Sequence, residues 1–332
     1  MLLRVKESRR RKLIQELRDV AAKRKLSPAH AARIRGKLYF TTSSAFAGIG
    51  RPALQAFTTR QYCKSAQSAL TEQLASSISF FIELLQNIPA QRIPLFDSDE
   101  KPLYVWSDAM WELHKSPSGD MVQIVDEESG DIFYSAKAAI AFVVFDPTDE
   151  TWHECHAQIG MDVIRLMVPG KKSYIGQLEA LAAAAVLSSM PTDRTAGKRM
   201  LFWIDNLAAK FGLQKGYSKV DDSGRIINAF KVMQANLGLR IHFEYVPSEQ
   251  NVADLPSRGA FAKMREVIET VFGSTLVRGQ NFFEHDFVLP SFETWNSPLA
   301  KSTKKRKMRS GSRGAARRKA FQVAAVPAES GS

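Results

Sequence analysis

The chain has 332 residues, of which 45% are hydrophobic and 24% are charged, so its composition is that of an ordinary globular protein. No apolar run is long enough to span a bilayer, and the charged start MLLRVKESRRRK is not followed by the apolar segment of a secretory signal. Two distant cysteines, Cys63 and Cys155, indicate a reducing compartment rather than a disulfide framework.

The net charge of +12 is concentrated at the two ends of the chain. Residues 1–37 carry 13 Lys and Arg against 3 acids, and residues 301–332 carry 10 against 1, so the body between them has a net charge of −7. Basic ends suit a polyanion such as nucleic acid. Solvated tails that only improve solubility are the alternative interpretation.

The first part of the chain is predicted to be helical. Residues 5–26 have the periodicity of an amphipathic helix. Ser27 is a favoured N-cap residue, with Pro28 at the first position of a second helix. Two more helices are predicted within residues 52–88. We therefore expect an all-helical segment over residues 1–96.

Strands and helices alternate after this segment. Strands are predicted at 102–110, at 137–159 as a pair joined by an Asp-Pro-Thr-Asp turn, at 200–204 and at 239–246. Helices are predicted at 174–190, 206–216, 223–238 and 260–272. This order favours an α/β domain over residues 97–296, a mixed five-stranded sheet flanked by helices.

Two stretches depart from the alternating pattern. Residues 111–136 form a polar insertion within the predicted domain. Residues 297–332 are basic and of low complexity, and we expect them to form a disordered tail.

Four carboxylates occupy unusual positions beside apolar elements. Asp108 and Asp205 each end a predicted strand, Glu179 lies on the apolar face of an Ala-rich helix, and Asp254 opens a helix after the last strand. Carboxylates gathered without Lys or Arg partners repel one another unless a divalent cation binds between them. Oxygen ligands of this kind suit magnesium, and two such ions can promote phosphodiester cleavage.

Four motifs contain these carboxylates: VWSDAM, IGQLEALA, WIDNLAAKFGLQKGYS and VPSEQNVADLPSRG. Their order resembles the ribonuclease H domain that follows reverse transcriptase in eukaryotic retroelements, especially those of the DIRS type, and the match covers about residues 100–260. The helical stretch before it resembles the thumb and connection of such elements. No Tyr-x-Asp-Asp motif occurs, so the chain resembles the back half of a reverse transcriptase.

The resemblance implies a ribonuclease H-like fold and hydrolysis of the RNA strand of an RNA–DNA hybrid. Asp108, Glu179 and Asp205 would hold two Mg²⁺ ions, with Mn²⁺ as an alternative, and Asp254 would complete the second site. The implied partners are the hybrid and an upstream polymerase domain, with no membrane. We expect an intracellular protein. Whether it is nuclear or cytoplasmic stays open, because the basic tail is compatible with nuclear import.

Two features depart from the family pattern. The insertion at 111–136 replaces a short Gly-containing hairpin after the first Asp motif. Several relatives carry a His in the loop before the last Asp, whereas residues 247–253 contain none and Glu249 is the nearest ionisable side chain.

Each carboxylate also has a structural interpretation. Asp205 and Asp254 are residue types that cap helices. Asp146 also ends an apolar run and competes with Asp108, but a turn at Pro147 explains it. Glu179 is the most telling, because a Glu on the apolar face of a helix needs a reason.

Four further residues are candidates for contact with nucleic acid. Asn206 either orients substrate or caps a helix, and Arg258 either contacts phosphate or is a solvated charge. Tyr217 and Ser218 either touch the nucleic-acid backbone or belong to a helix-ending loop. Two other functions stay open: a non-catalytic nucleic-acid-binding remnant, and an integrase- or transposase-like DNA nuclease.

Overall fold

The computed structural model describes residues 2–44, 48–63, 68–87, 91–92 and 101–291. The chain divides into two compact units, residues 1–301 and residues 302–332, and the second lies outside the described residues together with the predicted tail. Among the described helices, none is both long enough and apolar enough to cross a membrane.

The N-terminal segment contains the four helices that the sequence predicts, but two short strands show that it is not all-helical. The helices are α1 (Glu7–Lys23), α2 (Pro28–Ser44), α3 (Leu54–Gln61) and α4 (Glu72–Asn87), and the strands, β1 (Leu2–Leu3) and β2 (Gln91–Arg92), pair antiparallel beside them. The Ser27 hydroxyl accepts a hydrogen bond of 3.3 Å from the His30 amide, which confirms its capping role at α2. Apolar residues of all four helices, including Leu17, Phe57 and Phe81, form one core.

The rest of the described chain is an α/β structure. Its elements are β3 (Leu103–Leu113), β4 (Gln123–Val125), β5 (Ile132–Tyr134), β6 (Ala136–Asp146), β7 (Thr151–Gln158), α5 (Met161–Ile164), α6 (Ile175–Ser189), α7 (Thr192–Thr195), β8 (Arg199–Ile204), α8 (Leu207–Lys215), α9 (Asp221–Asn236), β9 (Arg240–Tyr245), a 3₁₀ turn (Ser248–Gln250), α10 (Asp254–Ser257), α11 (Phe261–Val271) and β10 (Phe282–Glu284).

Six strands form the main sheet in the order β10-β7-β6-β3-β8-β9. The central strand β3 runs antiparallel to β6 and parallel to β8. Alternate residues of β3 serve two cores: Val105 packs with α6, α8 and α9 on one face, and Trp106 packs with α11 on the other. Because both faces are covered, β3 is apolar along most of its length, and Asp108 is an exception.

The predicted fold class is therefore confirmed, with three corrections. The sheet has a sixth strand, β10, which pairs parallel with β7 at the sheet edge. The first strand does not end at Asp108, because pairing with β6 continues to Leu113. The insertion is shorter than predicted: residues 111–113 belong to β3, residue 136 begins β6, and β4 and β5 pair as a small separate ladder between them.

The four-helix segment packs against the sheet-bearing part of the chain. Val232 of α9 belongs to the core of the four helices. The Gly50 amide donates a buried hydrogen bond of 2.9 Å to Oδ1 of Asn228, also on α9. The predicted domain boundaries, at 96/97 and 296/297, fall outside the described residues.

Candidate metal centre

Three of the four predicted carboxylates converge on one point. Each of Asp108, Glu179 and Asp205 offers an oxygen, and these oxygens all lie within 4.8 Å of one another. Asp108 and Glu179 are only 2% and 3% exposed, while Asp205 is half-buried. Side chains from a strand, a helix and a strand end thus form one acidic cluster.

The register of two parallel strands places Asp108 beside Asp205. Ser107 of β3 pairs with Ile204, the last residue of β8, so the two aspartates follow at the point where this ladder ends. Neighbouring strands lie about 4.8 Å apart, which brings their carboxylates together. Asp108 therefore lies just past the end of the ladder between β3 and β8, and in the middle of the ladder between β3 and β6.

Glu179 reaches the cluster from the first turns of α6. This helix is buried on nearly all sides, so the carboxylate has little access to water. Burial, followed by the negative charges of Asp108 and Asp205, raises the pKa of Glu179 well above its usual value, and the Ala109 amide opposes the rise by hydrogen bonding. Glu179 Oε2 is buried and has no hydrogen-bond partner among the described residues.

Asp108 is held in a similar electrostatic environment. Burial raises its pKa to about 7, and the charges of Asp205 and Asp254 add to the rise. The hydrogen bond from Ser257 and the charge of Arg258 act in the opposite direction. Near neutral pH, the site therefore holds protons that a cation would displace.

These residues fit a divalent cation. An unpartnered buried carboxylate oxygen is costly, and coordination to a hard cation would satisfy it. The donor set consists of carboxylates alone, which suits Mg²⁺ or Mn²⁺ better than a soft metal.

Asp254 lies near this cluster but outside the group of three. It is the first residue of α10, and its Oδ1 accepts contacts of 2.8 Å from Nε and Nη2 of Arg258. The expectation that the four acids lack basic partners is therefore wrong for Asp254. Arg258 is not a free solvated charge, because it pairs with Asp254 one turn away. Its side chain is still 58% exposed, so contact with phosphate stays a prediction.

Three residues that sequence reasoning missed support the cluster. Ser257 donates to Asp108 Oδ2 at 2.5 Å, and Ser248 donates to Asp205 Oδ2 at 2.7 Å. Asn251 donates to the Ser107 carbonyl at 3.0 Å, which ties the loop to β3. All three lie within the motif VPSEQNVADLPSRG. Their polar side chains, in the same motif as Asp254, are the feature of the sequence that could have identified them.

The structural interpretations of the acids separate clearly. Asn206, not Asp205, caps α8, because its Oδ1 accepts a hydrogen bond of 3.0 Å from the Ala209 amide. The helix-capping interpretation of Asp205 is therefore wrong. Asp146 forms the expected turn, accepting from the Thr148 amide at 2.8 Å, and takes no part in the cluster.

Tyr217 and Ser218 lie at the far end of α8 from the cluster. The Ser218 hydroxyl accepts a hydrogen bond of 3.1 Å from the Val220 amide, as in a loop that ends a helix. The Tyr217 hydroxyl lies 3.5 Å from Oε1 of Gln55, on α3.

No family model and no curated protein matches the sequence. Two similar solved structures are RNase H domains. One is the N-terminal domain of a Mycobacterium tuberculosis protein, solved as a fusion with maltose-binding protein: 14% identity, TM-score 0.33, 49% of this chain and 96% of that chain. The other is RNase H1 from the halophilic archaeon Halobacterium salinarum: 16% identity, TM-score 0.30, 48% of this chain and 98% of that chain.

Proposed function

We propose that this protein is a metal-dependent endonuclease that hydrolyses the RNA strand of RNA–DNA hybrids. The observation that carries the proposal is the convergence of Asp108, Glu179 and Asp205, with Glu179 Oε2 buried and unpartnered among the described residues. Carboxylates of this kind are costly to bury unless they serve a cation.

The carboxylates of Asp108, Glu179 and Asp205 would hold two Mg²⁺ ions, with Mn²⁺ as an alternative. Bound ions of this kind activate water and stabilise the leaving oxygen in phosphodiester hydrolysis. Asp254 is proposed as the fourth ligand. Both contacts from Arg258 reach its Oδ1, and Oδ2 accepts no hydrogen bond from the described residues, so one oxygen is available without breaking the ion pair.

Hydrolysis of hybrids, rather than of DNA, is proposed from the resemblance of the four motifs to retroelement ribonuclease H domains. A hybrid presents 2′-hydroxyls along a wide minor groove, which a protein can distinguish from DNA. Asn206, Tyr217, Ser218 and Arg258 are proposed to contact this substrate. A retroelement origin and an upstream polymerase domain belong to the same proposal.

Cleavage of a defined panel of substrates tests the proposal. The panel contains one sequence as an RNA-labelled hybrid, a DNA-labelled hybrid, duplex DNA and single-stranded RNA, each with Mg²⁺ and with EDTA. We expect only the RNA strand of the hybrid to be cut, and only with the metal. The products should carry 3′-hydroxyl and 5′-phosphate ends.

Glu154→Gln is a matched control for Glu179→Gln. Glu154 is also buried, its carboxyl pKa is also raised, to about 7, and it lies on β7 outside the acidic cluster. We expect Glu179→Gln to abolish cleavage and Glu154→Gln to retain it. Binding of the hybrid without cleavage under any metal would favour the non-catalytic remnant, and cutting of duplex DNA would favour the integrase-like alternative.

A further inference from the structure

A basic pocket lies where the four-helix segment meets α8. It has a volume of about 270 Å³, and its lining includes Arg35, Arg51 and Lys215 together with Tyr39, Tyr217 and Gln55. Helices α2 and α3 supply one wall, and the end of α8 supplies the other. Neither part of the chain forms the pocket alone.

The positive charge of the pocket is not neutralised by nearby acids. Arg35 donates to the hydroxyl of Thr58 at 2.9 Å, and Arg51 donates to the Lys215 carbonyl at 2.7 Å, so the partners of both guanidinium groups are neutral. Throughout the described ranges, no acidic side chain lines the pocket. Three cations in one small pocket favour an anionic ligand.

Two glycines fix the geometry of this junction. Gly216 ends α8 with φ +65°, and a Cβ at this position would lie 2.9 Å from the Gly48 carbonyl oxygen. The close approach of the two turns allows Arg51 to reach the Lys215 carbonyl. The pocket is therefore held by the backbone on both sides.

An aromatic ring beside the cations narrows the class of ligand. Tyr39 on α2 is 54% exposed and lines the pocket together with Arg35 and Arg51. Exposed aromatic rings beside Lys and Arg are typical of surfaces that bind single-stranded nucleic acid, because unstacked bases pack on the rings while the cations hold phosphates. Bases within a duplex are already stacked and cannot use Tyr39 in this way.

The position of the pocket relates it to the acidic cluster. Helix α8 begins two residues after Asp205 and ends at Lys215, and its nine residues span about 14 Å. A strand leaving the cluster can therefore reach the pocket within a few nucleotides.

We propose that this pocket binds single-stranded nucleic acid that extends beyond the hybrid. Arg35, Arg51 and Lys215 contact its phosphates, and Tyr39 stacks on a base. The proposal rests on the proposed function for the identity of the hybrid, but the pocket is tested by binding alone.

The test compares a blunt hybrid with hybrids that carry a 5′ or a 3′ single-stranded extension of about ten nucleotides, a length within the usual site sizes. Fluorescence anisotropy with the full chain in EDTA measures affinity across a salt series, so cleavage is not required. We expect one of the extended hybrids to bind several-fold more tightly than the blunt hybrid.

Two variants, each with a control, test whether the tighter binding of the extended hybrid comes from the pocket. Lys215→Gln should remove most of this gain in affinity and make the slope of log affinity against log salt shallower by about 0.7. Tyr39→Ala should weaken binding of the extended hybrid about fivefold or more without changing the slope. The controls, Lys263→Gln and Tyr62→Ala, alter an exposed lysine on α11 and a tyrosine that is 71% exposed, and both should bind as wild type does.

The outcomes separate this proposal from the nuclease proposal. Equal affinity for blunt and extended hybrids, or no binding of either, overturns the pocket proposal even if the protein cleaves. Equal losses for blunt and extended hybrids in Lys215→Gln would mean that the pocket holds duplex backbone, which also overturns it. Polyglutamate and single-stranded DNA can also be added as competitors of the extended hybrid. If polyglutamate competes as well as single-stranded DNA does, the ligand of the pocket is an acidic peptide, which overturns the proposal. If the extended hybrid binds more tightly, this gain depends on Lys215 and Tyr39, and the protein cleaves no substrate, then the pocket proposal stands and the nuclease proposal is overturned.

Discussion

The Ser257 hydroxyl donates a hydrogen bond of 2.5 Å to Oδ2 of Asp108, although 149 residues separate the two in sequence. Both residues are buried. The contact holds the loop after β9 against the central strand and occupies one oxygen of the Asp108 carboxylate. Ser257 is therefore a positioning residue for the acidic cluster.

Removing this hydrogen bond should weaken metal binding. In Ser257→Ala the pKa of Asp108 should rise, because the bond from Ser257 lowers it, and a proton should then compete better with the cation. Loss of a partner that orients a metal ligand typically costs about 10–100-fold in metal affinity or activity. Titration of Mg²⁺ against the shift in melting temperature measures the change.

Ser77→Ala is the control for this variant. Ser77 is a fully buried serine in α4 whose hydroxyl has no hydrogen-bond partner in the described part of the chain. Its loss should leave the Mg²⁺ titration unchanged. Equal titrations for Ser257→Ala and Ser77→Ala would contradict the role given to Ser257.

The metal-free protein should lose stability as the pH rises through neutrality. The pKa of Asp108 is raised to about 7, so the folded state holds this proton more tightly than the unfolded state does. Its contribution is present below the unfolded pKa of about 4 and is lost as the pH rises through about 7. Glu179, whose pKa is also raised, acts in the same direction.

Urea denaturation in EDTA at about pH 5 and about pH 8 measures this loss of unfolding free energy. Asp108→Asn should lose less stability over the interval than wild type, because the amide cannot ionise. Mg²⁺ should restore wild type at the higher pH and should help Asp108→Asn less. Identical pH dependence in the two proteins would mean that ionisation of Asp108 does not cause the loss of stability.

A buried lysine at the junction should produce the opposite pH dependence. Lys231 on α9 is 6% exposed, and burial together with the charge of Arg51 lowers its pKa to about 8. Between about pH 8 and about pH 10 the unfolded state holds this proton more tightly, so stability should rise with pH. Below about pH 8, burial of the charged Lys231 side chain lowers the free energy of unfolding by its full amount.

Lys231→Met should therefore stabilise the protein near neutral pH, by about 2 kcal/mol, and the gain should vanish above about pH 10. The replacement removes the hydrogen bond of 3.0 Å to Gln234 and two long cation–π contacts, in which Nζ lies 5.8 Å from the ring centre of Phe230 and 5.9 Å from that of Phe243. Denaturation of both proteins across this range supplies the measurement. The exposed Lys263→Met is the control, and a destabilised Lys231→Met at neutral pH would count against the account.

Much of the fold could be predicted from the sequence because the local patterns are strong. The turn after Asp146, the caps at Ser27 and Gly216 and the Ala-rich helix around Glu179 each follow from residues close together in sequence. Local periodicity and turn chemistry were sufficient for these features. The gathering of four carboxylates was predicted instead from the order of the motifs and their resemblance to a ribonuclease H domain, and the structure groups three of the four.

Other features depend on partners that the sequence does not reveal. The apolar run before Asp108 predicts a strand that ends there, but pairing with β6 extends β3 to Leu113. Strand β10 has only three residues, too few for a periodic signal, and pairing with β7 gives it order. The pairing of Arg258 with Asp254 depends on side-chain geometry within one turn, which a motif does not specify.

Single-turnover cleavage of an RNA-labelled hybrid by excess protein with Mg²⁺ tests the central claim most directly. Asp108→Asn, Glu179→Gln and Asp205→Asn should each lose more than the roughly 100-fold expected from an indirect effect on a metal ligand. A double variant should lose little more than either single variant, because the three carboxylates form one site. Cleavage by Asp205→Asn at the wild-type rate would contradict the metal centre and the function proposed for it.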